Sequence, residues 1–347
     1  MRQLKIALVS PPIIGHKYRG TGIYTENLHQ ALKKIEDISV SLINISDSLE
    51  GFDLVHYPYF DPFFLTLPLV KKKPTIVTVH DLIPLRYPHL FPKGIKGYLK
   101  WYIQKFSLLQ SRAIIADSYS SSQDIVKYTG FDINRIYTVY LGVREEFKPI
   151  KSVDILQNVK KKWKLADNFL LHVGDLNPNK NVEGLLLAFA LFLKSYPKFD
   201  LVLIGRGFCT PSSRLEEMKK TIMLLGIADK IKFIDHVSTE ELGVIYNLAK
   251  IYLQPSLWEG FGLPVLEAMA CGCPVIVTKK SSLVEIVGDS GVYVVSDNYK
   301  EITERIKDLL SNEKKYRLMR EKGIKRAKKF SWQKTAAETL EVYRKIL

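Results

Sequence analysis

Two glutamates, Glu259 and Glu267, stand eight residues apart in the run 254–291, QPSLWEGFGLPVLEAMACGCPVIVTKKSSLVEIVGDSG. A carboxylate pair at this spacing can accept hydrogen bonds from a ligand rich in hydroxyls. Gly260, Gly262 and Pro264 between them are turn punctuation. Pro264 suits the first turn of a helix, where a missing N–H costs nothing. Val265, Leu266, Met269 and Ala270 recur at helical spacing until Gly272 and Pro274 end the segment. A glycine turn that opens a helix presents unpaired amides and the positive end of the helix dipole, which together form an anion site. An anionic ligand with hydroxyls at both ends would use the amides near Gly262 and Leu263 for its charge and the carboxylates for its hydroxyls. Each glutamate alone would be explained as a solvated helix residue or a first-turn acid favoured by the dipole. The full string in its context favours a site.

Other residues of this kind close apolar runs. His56 ends Asp53–His56 and His80 ends Thr75–His80, and ligand groups gather at strand C-termini in open α/β sheets. His80 continues into DLIPLRYP, whereas His56 has no such string and reads as structural. Lys180 lies in the turn GDLNPNKN, just before a helix from Val182 to Phe192, and is well placed for a diphosphate. Gly20-Thr21-Gly22 follows the first apolar strand, Lys5–Ser10, and opens a helix from about Ile23 to Ile35; such glycines let backbone approach a ligand.

These groups need a scaffold that presents strand ends, and the chain supplies one twice. Short apolar strands alternate with helices on both sides of Gly142–Ile150, a segment of glycine, proline and alternating charge that reads as a linker. The alternation predicts α/β architecture, with two doubly wound parallel sheets. A chain of 347 residues is long enough for two domains. Hydrophobic residues make up 46% and charged residues 25%, as in a globular enzyme. No apolar run reaches the ~18 residues of a membrane span; Phe63–Val70 is short and contains Pro68. The basic N-terminus lacks an apolar run long enough for a signal peptide, so a cytoplasmic location is expected. Cys271 and Cys273 have no second ligand pair nearby, which argues against zinc and for small buried thiols.

The net charge of +15 favours phosphate ligands or anionic surfaces. No nucleic-acid module is present, so nucleic acid is not expected as a partner. From Leu82 to Ala116 there is no acidic residue. Lys93, Lys96, Lys100, Lys105 and Arg112 punctuate a helix whose apolar stripe is Ile95, Leu99, Tyr102, Ile103, Phe106 and Leu109, widened by Tyr98 and Trp101. The expectation is that this stripe packs on the core beneath a solvated basic face. The sharper alternative is a peripheral contact with the anionic inner face of a membrane.

The string EGFGLPVLE followed by AMACGCPVIV resembles the E-x7-E signature of the retaining glycosyltransferases of family 4, which have the GT-B fold. The resemblance implies two Rossmann-like domains facing a central cleft that holds a nucleoside-diphosphate sugar. It implies an N-terminal acceptor domain (1–148), a donor domain (149–330) and a last helix (331–347) crossing back onto the first domain. Within it, Glu259 holds and orients the sugar, Glu267 accepts from the ribose hydroxyls, and Phe261, Gly262 and Leu263 meet the diphosphate. HDLIPLRYP is similar to the family string whose histidine, here His80, faces the sugar. The loop with Gly20 and Gly22 approaches the donor phosphates or the acceptor, and the loop around Val237 lies against the base. Lys180 carries over as the lysine of the diphosphate site. Arginine is common in the family at the positions of Asp175 or Asn179; this chain has neither, and Arg206 is the candidate to replace its charge. No acidic metal pair is evident, so no metal or other cofactor is expected. The HDLIPLRYP and NPNKN strings look most like bacterial mannosyltransferases of polysaccharide biosynthesis. GDP-mannose is the first choice of donor, a glycan or lipid-linked molecule the acceptor. The alternatives are a UDP-sugar donor, or a nucleotide-sugar binding module without turnover. A dinucleotide oxidoreductase is disfavoured, since no complete G-x-G-x-x-G opens either half.

Overall fold

The computed structural model describes residues 3–11 and 20–347, so most of the loop after the first strand lies outside the described residues. In chain order the elements are β1 (Leu4–Val9), α1 (Gly20–Leu32), β2 (Ile38–Ile43), β3 (Leu54–Tyr57), β4 (Thr75–Val79), α2 (Ile83–Arg86), α3 (Gly94–Leu109), β5 (Ala113–Ala116), α4 (Tyr119–Thr129), β6 (Ile136–Thr138) and α5 (Val153–Lys162). They continue with β7 (Phe169–Val173), α6 (Val182–Leu193), β8 (Asp200–Ile204), α7 (Ser213–Leu224), β9 (Ile231–Ile234), α8 (Thr239–Leu248), β10 (Ile251–Gln254), α9 (Leu263–Ala270) and β11 (Val275–Thr278). The last are α10 (Ser282–Val287), β12 (Val292–Val294), α11 (Tyr299–Ser311), α12 (Glu313–Ala327) and α13 (Trp332–Ile346). They form two compact units, Met1–Gly142 with Phe330–Leu347, and Val143–Lys329.

The first unit has a six-stranded sheet of order β2-β1-β3-β4-β5-β6, with all neighbours parallel. The inner strands β3, β4 and β5 are fully buried, largely apolar runs, as expected where helices cover both faces. α13 packs against α1, and Tyr343 reaches the sheet to bond the His56 ring. Ser331 caps α13 by accepting from the Lys334 amide. His56 is wholly buried between Tyr343 and Thr78, and burial pulls it down to about 3, so it is neutral and structural.

The packing of α3 reverses the expected face. Ile95, Leu99, Tyr102 and Phe106 are 90%, 63%, 67% and 61% exposed, and Tyr98 and Leu109 are exposed too. The buried face carries Trp101, Gln104, Ser107 and Leu108. The cause is the irregular loop 58–74 beneath it, whose buried backbone groups need partners. Gln104 Oε1 accepts from Thr66 N at 2.9 Å, Thr66 Oγ1 at 2.8 Å and Leu67 N at 3.2 Å. Ser107 donates to the Pro68 carbonyl at 2.7 Å. Phe64, Leu65, Leu69 and Val70 of that loop are exposed as well, and Lys100 lies over the Phe64 ring.

The second unit repeats the plan with the order β12-β11-β10-β7-β8-β9, again all parallel. Its core is the apolar face of α6 (Leu185, Leu186, Phe189, Phe192) packed with β7, β8, β10 and α11. β8 and β9 extend the sheet to one side of β7, while β10, β11 and β12 extend it to the other. The order therefore reverses between β7 and β10, and a crevice opens outside their C-termini.

Candidate active site

The crevice at the β7–β10 reversal is where the sequence placed its chemistry. After β7 the chain turns at Gly174 and forms a short 3-10 turn, Pro178–Lys180; after β10 it runs through 255–262 into α9. The two loops are stitched together. The Leu257 amide donates to the Asn179 carbonyl at 2.7 Å, Asn179 Nδ2 to the Trp258 carbonyl at 3.0 Å, and Asn181 Nδ2 to the Pro255 carbonyl at 3.1 Å. Lys180 and Glu259 thereby meet: Lys180 Nζ lies 2.8 Å from Oε1 and 2.9 Å from Oε2. Glu259 is only 5% exposed. Gln254 Nε2 donates to its Oε1 at 2.6 Å. Its backbone is held by Ser281 Oγ, which accepts from Glu259 N at 3.1 Å, and by Ser282 Oγ, which donates to Glu259 O at 3.0 Å. A buried carboxylate fixed this firmly is preorganised, since its geometry does not depend on a ligand.

Gly262 caps α9 at φ +107°, and a Cβ there would stand 2.8 Å from Leu283. Only glycine makes this turn without strain. Phe261 is buried, and Leu263 and Pro264 begin the helix. Glu267 lies further along α9, where Tyr246 Oη donates to its Oε2 at 3.0 Å. Burial pushes its carboxyl up to about 7, against the opposing pull of the Tyr246 hydroxyl and Arg144. A ribose hydroxyl donates to an ionised carboxylate better than to a neutral one. On the ribose role that the resemblance implies for Glu267, donor affinity is expected to rise between pH 6 and 8, a range in which a nucleotide sugar has no titrating phosphate. Glu267→Gln should flatten this slope; titration calorimetry at several pH values checks it, and an equally steep slope in the variant would refute the assignment. For stability the sign is opposite. A carboxyl raised above its unfolded value of 4.5 removes stability as pH climbs from about 4.5 to 7.

The remaining second-unit candidates occupy neighbouring strand ends. Arg206 follows β8, exposed, in the turn Arg206–Phe208. Val237 follows β9, buried, just before the Ser238 cap of α8. Gly205 packs so closely on the β7 loop that a Cβ would lie 2.0 Å from the Gly174 carbonyl oxygen. Asp175 and Asn179 do structural work: Asp175 Oδ1 accepts from Gly207 N at 3.4 Å, and Asn179 joins the two loops.

In the first unit, His80 closes β4 and Asp117 closes the adjacent β5. Nδ1 of His80 lies 2.6 Å from Asp117 Oδ2 and Nε2 lies 3.0 Å from the Pro58 carbonyl oxygen. Burial pulls the imidazole down, but the charge and hydrogen bond of Asp117, with the Pro58 carbonyl and Asp81, raise it overall. Gly20 and Gly22 form the first turn of α1, three residues earlier than the sequence suggested. Tyr24 on that helix meets His80 edge-on at 4.8 Å. Most of the loop expected to precede these glycines, residues 12–19, lies outside the described residues.

Sequence reasoning missed several members of these networks. Gln254 and Asp117 share a visible signal, a polar residue closing an apolar strand. His172 is also missed: it is wholly buried, its Nδ1–H donates to Leu253 O at 2.8 Å, and burial, with Lys180 nearby, pulls it down to about 4. Cys271 and Cys273 are buried free thiols, while Cys209 is exposed. Among the described residues no group of three or more His, Cys, Asp or Glu side chains is placed to hold a metal ion, and no helix is long and apolar enough to cross a membrane.

Residues 155–326 match the model of glycosyl transferases group 1, and residues 38–147 match that of glycosyltransferase family 4. The chain is 28% identical over 296 residues to O-antigen chain mannosyltransferase B of Escherichia coli, covering 84% of this chain and 75% of the relative. It is 30% identical over 277 residues to the serotype-specific mannosyltransferase WbdA of the same species, but spans only 34% of that longer protein. An uncharacterised glycosyltransferase of Methanocaldococcus jannaschii is 30% identical over 87% of this chain and 78% of its own length. Among solved structures, sucrose-phosphate synthase from Thermosynechococcus elongatus superposes with a TM-score of 0.80 at 19% identity, covering 99% of both chains. Anabaena HepE in complex with UDP-glucose gives 0.76 at 16% identity, covering 98% of this chain and 100% of its own. The two parallel-sheet Rossmann-like units, the E-x7-E helix at the strand-order reversal and these likenesses agree: the chain belongs to the family 4 glycosyltransferases of GT-B fold.

Proposed function

We propose that this glycosyltransferase moves mannose, with retention of configuration and without a metal, from GDP-mannose to a glycan or lipid-linked acceptor in polysaccharide biosynthesis. The observation that carries the reading is the Lys180–Glu259 pair at the second unit's strand-order reversal. A pair of opposite charges is a resting state for two different jobs. The donor's diphosphate draws Lys180 away, and the freed carboxylate takes the sugar's hydroxyls. Lys180, Arg206 and the amides of Phe261, Gly262 and Leu263 at the α9 N-terminus then oppose the charge of the departing diphosphate. These fixed positive groups are why no metal is invoked. Glu267 takes the ribose, backbone around Val237 the base, and residues 149–330 serve as donor domain. His80 and the α1 turn with Gly20 and Gly22 belong to the acceptor domain, residues 1–148, completed by 331–347. The mannosyl donor rests on the O-antigen relatives. A UDP-sugar is the second reading, favoured by the UDP-glucose complex of a protein of this fold. Titration calorimetry separates them: GDP-mannose should bind at least about tenfold more tightly than UDP-glucose, about 1.4 kcal/mol. The reverse order selects the UDP-sugar.

The reversed face of α3 supports a peripheral place at the inner face of a membrane. Ile95, Leu99, Tyr102 and Phe106, with Phe64 and Leu65 of the loop beneath, are exposed beside Lys93, Lys96 and Lys100. Apolar side chains rimmed by lysines suit insertion among anionic headgroups, at about 1 kcal/mol per lysine. Co-sedimentation with phosphatidylglycerol vesicles is expected at low salt, weakening steeply toward 0.5 M NaCl, an ionic strength roughly three times physiological. The variant Lys96→Glu/Lys100→Glu should bind much less. Absence of binding at low salt would remove the membrane from this reading.

A further inference from the structure

The ring nitrogens of His80 face two acceptors: Nδ1 lies 2.6 Å from a carboxylate oxygen of Asp117 and Nε2 lies 3.0 Å from the carbonyl oxygen of Pro58. A backbone carbonyl can only accept, so Nε2 must carry a proton. An ionised carboxylate also only accepts, so Nδ1 must carry another. A neutral imidazole has one N–H and would leave one of these contacts facing two lone pairs. Asp117 and His80 close adjacent parallel strands, with Val79 paired to Ala116 just before them. The juxtaposition is therefore set by the sheet register and not by flexible loops. The Asp117 side chain is 3% exposed, and its other oxygen, Oδ1, is buried without a hydrogen-bond partner among the described residues. Among the described residues no other donor reaches that oxygen, and the hydrogen bond of the carboxylate to the imidazole is made by Oδ2.

We infer that Asp117 is a positioning residue that holds His80 doubly protonated, so that the end of β4 presents a fixed cation and not a proton acceptor. For its catalytic consequence, though not for the ionisation itself, the inference rests on the role that the family resemblance implies for His80, facing the sugar. A histidine whose two N–H groups are both engaged cannot take a proton from an acceptor hydroxyl. What it offers is a fixed positive charge, and charge held in place beforehand is how a site stabilises negative charge that develops during transfer. The surroundings are consistent with a retained cation. Asp81 adds a second negative charge; His56 on β3 is neutral, with its proton and lone pair used by Tyr343 and Thr78; and Tyr24 on α1 is kept protonated by burial. The strand-end segment at Pro58 faces the ring with a carbonyl, and Ser121 of α4 donates to the His80 backbone carbonyl at 2.9 Å.

The test reads ionisation and transfer separately. Nitrogen-15 NMR of histidine-labelled full-length protein, with His80 assigned by its loss in His80→Gln, follows both ring nitrogens against pH. The expected result is a His80 titrating above the ordinary histidine value of about 6.5, with both nitrogens protonated below that midpoint. In Asp117→Asn the midpoint should fall by about one pH unit or more. Transfer by the same variant should show its alkaline limb moved to lower pH, with kcat reduced more than KM, and Asp117→Glu should restore part of the shift. A wild-type His80 that is a single neutral tautomer at pH 6.5, or an unchanged midpoint in Asp117→Asn, would overturn the inference. The wild-type spectrum suffices even where a variant fails to fold. If the midpoints behave as expected while His80→Gln transfers sugar at the wild-type rate, the ionisation stands and the catalytic reading of His80 falls.

Discussion

Glu259→Ala is expected to lose at least about 100-fold in kcat, the scale seen when one preorganised electrostatic group is removed from an active site, while donor binding is kept or strengthened. The sign of the second effect follows from the resting pair. Under the proposed roles, the diphosphate must in the wild type draw Lys180 from a carboxylate that holds it with both oxygens. In the variant the ammonium has no such partner and is free for phosphate. The folded state is weakened, because breaking a buried pair leaves one charge uncompensated, typically at a cost of 3–5 kcal/mol, here reduced because the lysine side chain is 15% exposed and can turn to water. Added donor should therefore raise the Tm of Glu259→Ala more than that of the wild type. Steady-state kinetics and thermal shift together check this. A variant that turns over normally, or fails to bind donor while folded, would contradict the division of roles.

Lys180→Ala carries the second large effect, with a different pattern. Donor affinity should fall by roughly 10- to 100-fold, the value of a charged hydrogen bond of about 1.5–3 kcal/mol, and kcat should fall with it. Stability should suffer more than in Glu259→Ala, because the group left behind is a carboxylate only 7% exposed whose remaining side-chain donor is Gln254. Removing both charges relieves that orphan, so Lys180→Ala/Glu259→Ala should melt above Lys180→Ala alone. Donor should not rescue the Tm of Lys180→Ala. Lys180→Arg is not a substitute, since a planar guanidinium does not fit a site shaped for a compact ammonium.

The sheets and the E-x7-E helix were legible because they rest on local signals. Gly262 and Pro264 mark the start of α9, Gly272 its end, and apolar runs of four or five residues mark the strands on either side. The Lys180–Glu259 contact was not legible: the two residues are 79 apart, and they meet only because β10 lies beside β7. The family likeness named both residues but not their pairing. The face of α3 was misread for a related reason. Hydrophobic periodicity correctly found one apolar stripe, but Gln104 and Ser107 on the opposite face were needed to satisfy a buried loop, and that demand decided which face turned inward. Asp117 reads in the sequence only as the residue before Ser118, the cap of α4; its partner is the histidine that closes the adjacent strand, 37 residues earlier. Where sequence reasoning failed, a polar group was serving a partner distant in the chain.

The central claim is that the second unit binds and activates a nucleotide sugar, and release of nucleoside diphosphate tests it most directly. The full-length protein is incubated with GDP-mannose, UDP-glucose and other nucleotide sugars, with and without lipid-linked acceptors, and product nucleotide is measured beside Glu259→Ala. The account predicts release from GDP-mannose that is stimulated by acceptor and falls at least about 100-fold in the variant. Release from none of the donors, or equal release by wild type and Glu259→Ala, would contradict it.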